Sequence, residues 1–337
     1  MSRSFITLAA LSMAVATPFI SLQAQAVQRT HVSAAFGADS NAASNCTAAA
    51  PCRFFTAAMT VTDPNGEVIV LDSGGYGGVT ITQSVALIAP TGVYAGISVF
   101  PGADGVTIAT AGVNVVLRGL SINGQGGNNG ISMTAGNSLT VENCVISNHG
   151  QNGIYVNAAA IVNITDTTAR RNAFNGILLS SGSRAVITRA VVSNNINHGI
   201  YVVGVAPNTF TYADITDTTA DGNSNGFYAS SSNATASVSA SIRDSRAARN
   251  QIGIYASSDA GAKVLLTASN NIISNNSLYG VAAEYVGTKV WISGNTISAN
   301  AGGLVVASSA LFETAGNNAM RNNTVDVTGS ITAIALK

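Results

Sequence analysis

The chain has 337 residues, of which 47% are hydrophobic and only 9% are charged, whereas ordinary globular domains carry about 25% charged residues. The 15 basic and 15 acidic residues cancel, which argues against a nucleic-acid or anionic-membrane partner, because both select for a basic patch. Gly and Asn, with 34 and 33 copies, are poor helix formers, and only seven residues are Lys or Glu. The composition therefore disfavours helical bundles and predicts a large, turn-rich β protein.

Residues 1–26 have the features of a bacterial signal peptide. Arg3 supplies a positive start, Phe5–Ile20 is apolar, and Ala24–Ala26 has the A-x-A form of a cleavage site. A membrane anchor is the alternative, but about 16 residues fall short of the ~20 that span a bilayer. We therefore expect cleavage after Ala26, no membrane span, and a secreted or periplasmic mature protein.

Residues 27–65 are predicted to form an N-terminal cap. Cys46 and Cys52 enclose a short loop, which is compatible with a disulfide in an exported protein. A metal pair is the alternative, but no His or further Cys lies close enough in sequence to complete a site. The apolar stretch 56–61 is expected to cover the open end of a solenoid, and Val68–Leu71 is predicted to be the first strand.

An internal repeat occupies most of the remaining chain. A Gly followed by an apolar residue recurs at spacings of 23 or 27 residues, at Gly130-Ile131, Gly153-Ile154, Gly176-Ile177, Gly199-Ile200, Gly226-Phe227, Gly253-Ile254, Gly280-Val281 and Gly303-Leu304. Within each period the apolar residues alternate, as in strands with one buried face, and Cys144 falls at such a buried position. The pattern predicts an all-β, right-handed parallel β-helix over residues 66–337, with about eleven coils of 23–27 residues.

The turns between the predicted strands carry the resemblance to a known family. An Asn recurs a few residues before the Gly-Ile strand, and other Asn or His residues directly precede the Gly, at Asn172, Asn195, Asn250, Asn276 and Asn300, and at Asn152, Asn175 and His198. Over residues 66–337 the chain resembles the right-handed parallel β-helix proteins of the pectin-lyase-like superfamily. The resemblance implies the fold but leaves the activity open, since this fold hosts lyases, hydrolases, epimerases, adhesins and non-enzymes.

Stacked coils turn one repeat position into a column, and one outward column is rich in tyrosine. It contains Tyr155, Tyr201, Tyr228 and Tyr255, the last three on consecutive coils. These three coils are four residues longer, and we expect the extra residues to form loops just after the Tyr strands, as one wall of a groove. Sugar faces stack on such rings, so the column predicts a polymer-binding site. The alternative is that cross-strand tyrosines only stabilise the sheet.

Two pairs of charged residues are candidates for catalysis. Asp217 and Asp244 occupy the same turn position on adjacent coils, where two carboxylates would serve as acid and base or hold calcium. Asp is also an ordinary turn residue. Arg189 occupies the same turn position on another coil, as expected of a structural ion-pair partner for these carboxylates. Asp259 and Lys263, in one of the expected loops, form the second pair.

Arginine and histidine provide weaker candidates. Arg243, Arg246 and Arg249 are expected either to bind an acidic polysaccharide or to pair with Asp244. His149 and His198 fall at turn positions where other coils place Asn, so each is interpreted as a hydrogen-bonding substitute for Asn, with catalysis as the alternative.

Three functional hypotheses follow from these features. The first is an exported β-helix protein that binds polysaccharide or another extended polymer along the Tyr-lined face. The second is a polysaccharide lyase or glycoside hydrolase, in which calcium would be required only for a lyase; no other cofactor and no metal are expected. The third is a structural or adhesion protein of the cell surface. A polysaccharide or cell-surface glycan is the expected partner.

Overall fold

The protein is a solenoid in which each complete coil contributes one strand to each of three parallel sheets. A computed structural model describes residues 27–259 and 261–335, so the predicted signal peptide lies outside the described residues. Sheets B and C each contain eleven strands, in agreement with the predicted number of coils, and sheet A contains thirteen.

The strands of the three sheets have the following bounds. Sheet A contains β1 (Val27–Val32), β2 (Thr62–Val70), β5 (Val85–Ile88), β8 (Asn114–Arg118), β11 (Ser138–Glu142), β14 (Ile161–Thr165), β17 (Arg184–Thr188), β20 (Phe210–Thr216), β23 (Ser237–Arg243), β26 (Lys263–Ser269), β29 (Thr288–Ser293), β32 (Leu311–Thr314) and β35 (Thr332–Ala333). Sheet B contains β4 (Val79–Ile81), β7 (Val106–Ile108), β10 (Ile131–Met133), β13 (Ile154–Asn157), β16 (Ile177–Ser180), β19 (His198–Gly204), β22 (Asn225–Ser231), β25 (Ile252–Ser258), β28 (Tyr279–Glu284), β31 (Gly302–Ala307) and β34 (Val325–Thr328). Sheet C contains β3 (Gly74–Gly75), β6 (Ala95–Val99), β9 (Leu120–Gly124), β12 (Val145–Ser147), β15 (Thr168–Arg170), β18 (Val191–Ser193), β21 (Thr219–Asp221), β24 (Arg246–Ala248), β27 (Ile272–Ser274), β30 (Thr296–Ser298) and β33 (Ala319–Arg321).

The core runs along the inside of the solenoid. In β13, Ile154 and Val156 are fully buried while Tyr155 between them is partly exposed, because successive side chains of a strand point to opposite faces. Cys144 is also buried at the predicted position. Burial raises the pKa of its thiol to about 11, so Cys144 is a neutral core side chain at physiological pH.

The N-terminal region closes the first coil, with one difference from prediction. Helix α1 (Phe55–Met59) buries Phe55 and Met59, and Cys46 and Cys52 form the predicted disulfide; a short 3₁₀ helix spans Asp39–Ser44. The first strand, however, is β1, which pairs in parallel with β2, and not Val68–Leu71. Because the sequence of β1 is mostly polar, a search for alternating apolar residues does not detect this strand.

Buried asparagines form a ladder between sheets C and B. The side chain of Asn223 donates to Oδ1 of Asn250 (3.1 Å), and Asn250 in turn donates to Oδ1 of Asn276 (3.2 Å). The complete ladder is Asn172, Asn195, Asn223, Asn250, Asn276, Asn300 and Asn323. It contains each Asn predicted a few residues before a Gly-Ile strand, whereas Asn152 and Asn175, directly before the Gly, form a second column with Asn129. The ladder satisfies polar backbone groups that would otherwise be buried without partners.

The glycine of each repeat lies where successive coils approach most closely. A Cβ added to Gly226 would lie 2.5 Å from the carbonyl oxygen of Gly253 and 2.9 Å from the side-chain nitrogen of Asn250. The same contact to the next coil recurs at Gly153, Gly176 and Gly199. The periodic glycine is therefore a steric requirement of coil stacking.

Candidate functional site

The predicted tyrosine column lies on the outer face of sheet B. Tyr155 pairs in register with Leu178, Leu178 with Tyr201, Tyr201 with Tyr228, and Tyr228 with Tyr255. The last three rings stack in parallel, with centroids 4.8 and 4.7 Å apart and interplanar angles of 4° and 6°. We call Tyr201, Tyr228 and Tyr255 the Tyr row; Tyr155 is separated from it by one coil.

The stacking of the Tyr row determines which atoms a ligand would contact. Both faces of the Tyr228 ring lie against neighbouring rings, so the expected stacking of a sugar face on this ring is wrong, and its edge and hydroxyl are the parts left for a ligand. The Tyr201 hydroxyl is 2.9 Å from Oγ of Ser230, and the Tyr228 hydroxyl is 2.7 Å from Oγ of Ser257. The row therefore presents a strip of aromatic edges and paired hydroxyls.

At the end of the row, Tyr255 donates a 2.5 Å hydrogen bond to Oε2 of Glu284. Burial raises the pKa of Tyr201 to about 12 and raises that of Tyr228. Burial also raises the pKa of Tyr255, with Glu284 adding to the effect. All three phenols are therefore neutral hydrogen-bonding groups at physiological pH. Ser230, Ser257 and Glu284 are not predicted from the sequence; for the two serines the signal is a Ser two residues after Tyr228 and Tyr255, a place that Val203 takes after Tyr201.

The expected wall of long loops beside the Tyr row is wrong. Most of the extra residues extend the strands, because β19, β22, β25 and their sheet A counterparts β20, β23 and β26 each have seven residues. The ladder continues in register through Ser230 and Ser257, so these residues widen both sheets. The result is a broader flat face in place of a groove wall.

His198 packs against the Tyr row in a position equivalent to an Asn. Its ring centroid lies 4.9 Å from that of Tyr201 and 4.8 Å from that of Tyr228, both edge to face. Its backbone N–H donates to Asn175 Oδ1, and Asn225 Nδ2 lies 3.1 Å from its Nδ1. Since the Asn225 amide donates, Nδ1 is the acceptor, and the ring continues the hydrogen bonding of an Asn column.

His149 has a similar position between sheets C and B. Its backbone N–H donates to Asn172 Oδ1, and its Nε2 lies 3.3 Å from the Ile122 carbonyl oxygen. Burial lowers the pKa of both His149 and His198 to about 4. Both imidazoles are therefore neutral at pH 7, as the Asn-substitute interpretation expects.

This burial predicts acid sensitivity above pH 4. An unfolded histidine takes up a proton as the pH falls below 6.5, whereas the folded state resists until about pH 4, so stability is lost within that window. At pH 5 the loss is roughly 2 kcal/mol for each histidine. Replacing both by Asn (His149→Asn and His198→Asn) should remove most of the difference between thermal midpoints measured at pH 7.5 and pH 5.

Asp72 does not obscure this comparison. Although burial opposes ionisation, hydrogen bonds from Ser33, Tyr76 and backbone amides lower the pKa of Asp72 to about 2. Its stabilising contribution is lost only between about pH 3.8 and 2. A double variant that still loses as much stability as the parent between pH 7.5 and 5 would show that other groups cause the acid sensitivity.

The candidate carboxylates Asp217 and Asp244 lie on exposed corners. Both have left-handed backbone conformations, each with φ of 51°, between a sheet A strand and a sheet C strand. Asp166, at the same position of an earlier coil, forms an ion pair with Arg189 (2.7 Å), the partnership that the sequence suggests for that column. The arrangement is the one expected of turn residues.

The arginines expected beside Asp244 have other partners. Arg243 pairs with Asp214 (3.3 Å), and Arg249 pairs with Asp221. The expected pairing with Asp244 is therefore wrong, because Arg243 is a strand residue whose side chain follows the outer face of sheet A. Asp259 and Lys263 are both exposed and do not form an ion pair with each other.

Two findings concern metals and membranes. No group of three or more His, Cys, Asp or Glu side chains suited to a metal ion occurs in residues 27–259 and 261–335. Within the same part of the chain, no helix has the length and apolar character needed to cross a bilayer.

The parallel sheets, stacked coils and Asn ladder define a right-handed parallel β-helix of the pectin-lyase-like type. The sequence profile of the family described as "Right handed beta helix region" matches residues 67–241 and 225–334. The chain belongs to this family.

Solved structures show the same fold at low sequence identity. A pectate lyase, Pel9A, superposes with a TM-score of 0.54 at 14% identity, covering 92% of this chain and 78% of the lyase. The A-module of the mannuronan C-5 epimerase AlgE4 from Azotobacter vinelandii superposes with a TM-score of 0.54 at 13% identity, covering 81% of this chain and 91% of the module. No curated protein matches the chain in sequence.

Proposed function

We propose that this protein is an exported polysaccharide-binding β-helix whose binding surface is the outer face of sheet B, centred on the Tyr row and extending toward Tyr155. The observation that carries the proposal is the stack of three tyrosines on consecutive coils, with the Tyr201 and Tyr228 hydroxyls paired to serines. Such a strip offers apolar ring edges beside hydrogen-bonding hydroxyls. A sugar polymer would pack against the ring edges and hydrogen-bond to the hydroxyls.

The shape of the face supports a linear ligand. Consecutive rings are 4.8 and 4.7 Å apart along the solenoid axis, and the extended strands widen the sheet beside them. The neutral phenols favour a ligand recognised by hydroxyl contacts and packing. The two solved structures with TM-scores above 0.5 carry the names of a pectate lyase and a mannuronan epimerase, which is compatible with a polysaccharide ligand.

Export is the second part of the proposal. The A-x-A site at Ala24–Ala26 and the Cys46–Cys52 disulfide support it, because disulfides persist in oxidising compartments. The catalytic alternative has less support, since Asp217, Asp244, Asp259 and Lys263 are all exposed side chains on turns or at strand ends.

The binding face is tested by affinity electrophoresis on a panel of neutral polysaccharides. Tyr201→Ala combined with Tyr228→Ala should weaken the retardation of a bound glycan at least tenfold in apparent Kd, since two aromatic contacts worth about 1 kcal/mol each are removed. Replacing the same residues by Phe keeps the stack and removes only the hydroxyls, so it should have a smaller effect.

Tyr94→Ala is the matched control, because Tyr94 is 56% exposed and lies outside the Tyr row. Circular dichroism would establish that all variants retain the parent fold. Unchanged retardation by the Tyr201/Tyr228 double alanine variant, or an equal loss in Tyr94→Ala, would rule out this face as the binding site.

A further inference from the structure

The outer face of sheet A carries a second, unrelated strip of exposed side chains. Ile161, Arg184, Tyr212 and Leu265 lie in one column that crosses the coils in register. Phe210 and Lys263 lie in the adjacent column. We call these six residues the sheet A strip. Ile161, Phe210 and Leu265 are 60%, 43% and 40% exposed, and clustered apolar exposure of this kind marks interaction surfaces.

Two shallow depressions join along the strip. One, of about 560 Å³, lies between Ile161, Arg184 and Phe210. The other, of about 480 Å³, lies between Phe210, Lys263, Leu265 and Lys289. Phe210 borders both, so the two depressions follow one another along the solenoid axis, and together we call them the groove of sheet A. They extend from β14 to β29, roughly 24 Å at the spacing of parallel strands.

The charge of this groove is positive. Arg184 and Lys263 are exposed, and neither forms a side-chain hydrogen bond or ion pair with any residue of the described chain. Lys289 pairs with Glu313 at 3.0 Å but remains 46% exposed. In a protein with 15 basic and 15 acidic residues, two unpaired cations beside aromatic side chains are a local concentration of positive charge.

The distribution of these cations argues against a second copy of the chain as the occupant. A two-fold interface is self-complementary: a residue on the axis faces its own copy, and two residues at equal distances on either side of the axis face each other across the interface. With the axis at Ser239, midway along the column, Arg184 would face Lys289 of the second copy. Like charges placed opposite each other in an interface are unfavourable.

We propose that the sheet A strip binds a linear, carboxylate-bearing polysaccharide, at a site separate from the Tyr row. Arg184 and Lys263 contact carboxylates, while Phe210, Tyr212 and Leu265 pack against sugar rings between them. The Phe210 and Tyr212 rings, with centroids 6.3 Å apart and an interplanar angle of 34°, form a non-stacked pair whose faces are less occupied than those of the Tyr row. Charge complementarity and the length of the groove both select a polyanion over a compact ligand.

The experiment compares the binding of oligouronates with that of neutral oligosaccharides of equal length, by isothermal titration calorimetry. Arg184→Gln combined with Lys263→Gln should weaken oligouronate binding about tenfold and should reduce its salt dependence. Phe210→Ser should weaken binding without changing the salt dependence. The matched control is Arg170→Gln combined with Arg171→Gln, which removes two exposed cations at sheet C that form no ion pair within residues 27–259 and 261–335 and should change the affinity less than twofold.

Several outcomes would overturn the proposal. Equal losses in the two charge variants would indicate non-specific attraction, and equal binding of neutral oligosaccharides would exclude carboxylate recognition. Binding to vesicles rich in anionic lipid, without binding to oligouronate, would identify a membrane surface as the ligand. If the Tyr201/Tyr228 double alanine variant loses oligouronate binding and the strip variant does not, the ligand occupies the Tyr row alone. Thermal midpoints equal to that of the parent would confirm that each variant is folded.

Discussion

Replacing Asn250 by Ala should lower the free energy of unfolding by roughly 3–6 kcal/mol, because several buried polar groups would lose their partners at about 1–3 kcal/mol each. Oδ1 of Asn250 accepts from the backbone N–H of Asn223 (2.9 Å) and from its side chain (3.1 Å). Its amide also donates to the Ala220 carbonyl oxygen (3.1 Å). Asn250 is only 2% exposed, so water cannot easily replace these contacts. Urea unfolding followed by circular dichroism measures the change.

Asn163→Ala is the matched control for the ladder. Asn163 is an exposed residue in the middle of β14, and it forms no side-chain hydrogen bond within the described chain. Its replacement should change stability by less than about 0.5 kcal/mol. A similar cost for both substitutions would mean that the ladder does not stabilise the solenoid more than any surface Asn.

A methyl group at Gly226 should be nearly as damaging, with a loss of about 3 kcal/mol or more. The added Cβ would lie 2.5 Å from the Gly253 carbonyl oxygen, which is a backbone atom and cannot rotate away. Relief would require β22 and β25 to separate, which would also pull Asn223 from Asn250. Gly226→Ala should therefore lower the unfolding midpoint and increase amide exchange in the two strands.

Gly75→Ala provides the comparison for this prediction. A Cβ at Gly75 would meet nothing closer than a backbone oxygen at 4.0 Å, so the substitution should be close to neutral. If Gly226→Ala is as well tolerated as Gly75→Ala, the coils must be able to separate locally at little cost.

These two residue types explain why the fold is predictable from the sequence. Close approach of the coils permits only glycine at Gly226 and its equivalents, and buried backbone groups require an amide side chain at Asn250. Both requirements act on single positions and recur once per coil, so they leave a periodic signal. Strand β1 has no such signal because it lies at the end of sheet A, where Arg29 and His31 are tolerated.

The geometry of the candidate site is less accessible to sequence reasoning. Alternation places Tyr228 outward, but whether its ring faces solvent or a neighbouring ring depends on the side-chain conformation. Ala and Ser after Tyr228 and Tyr255 fit a loop or a strand equally well, since propensity alone is weak in sheets. The sheet A strip is not detected in the sequence for a different reason: its exposed apolar residues are far apart along the chain, and they form one surface only once the strand register is known.

The three longer coils have a consequence for the assembly of the solenoid. A repeat protein whose units were all of one length would have many nearly equivalent alignments between neighbouring coils during folding. Here a shift by one coil would set the seven-residue β22 against the four-residue β16 in place of the seven-residue β19, leaving backbone groups unpaired at the end of the longer strand. The longer strands of these three coils therefore determine which coils pair with each other, and so make the alignment of the remaining coils unique.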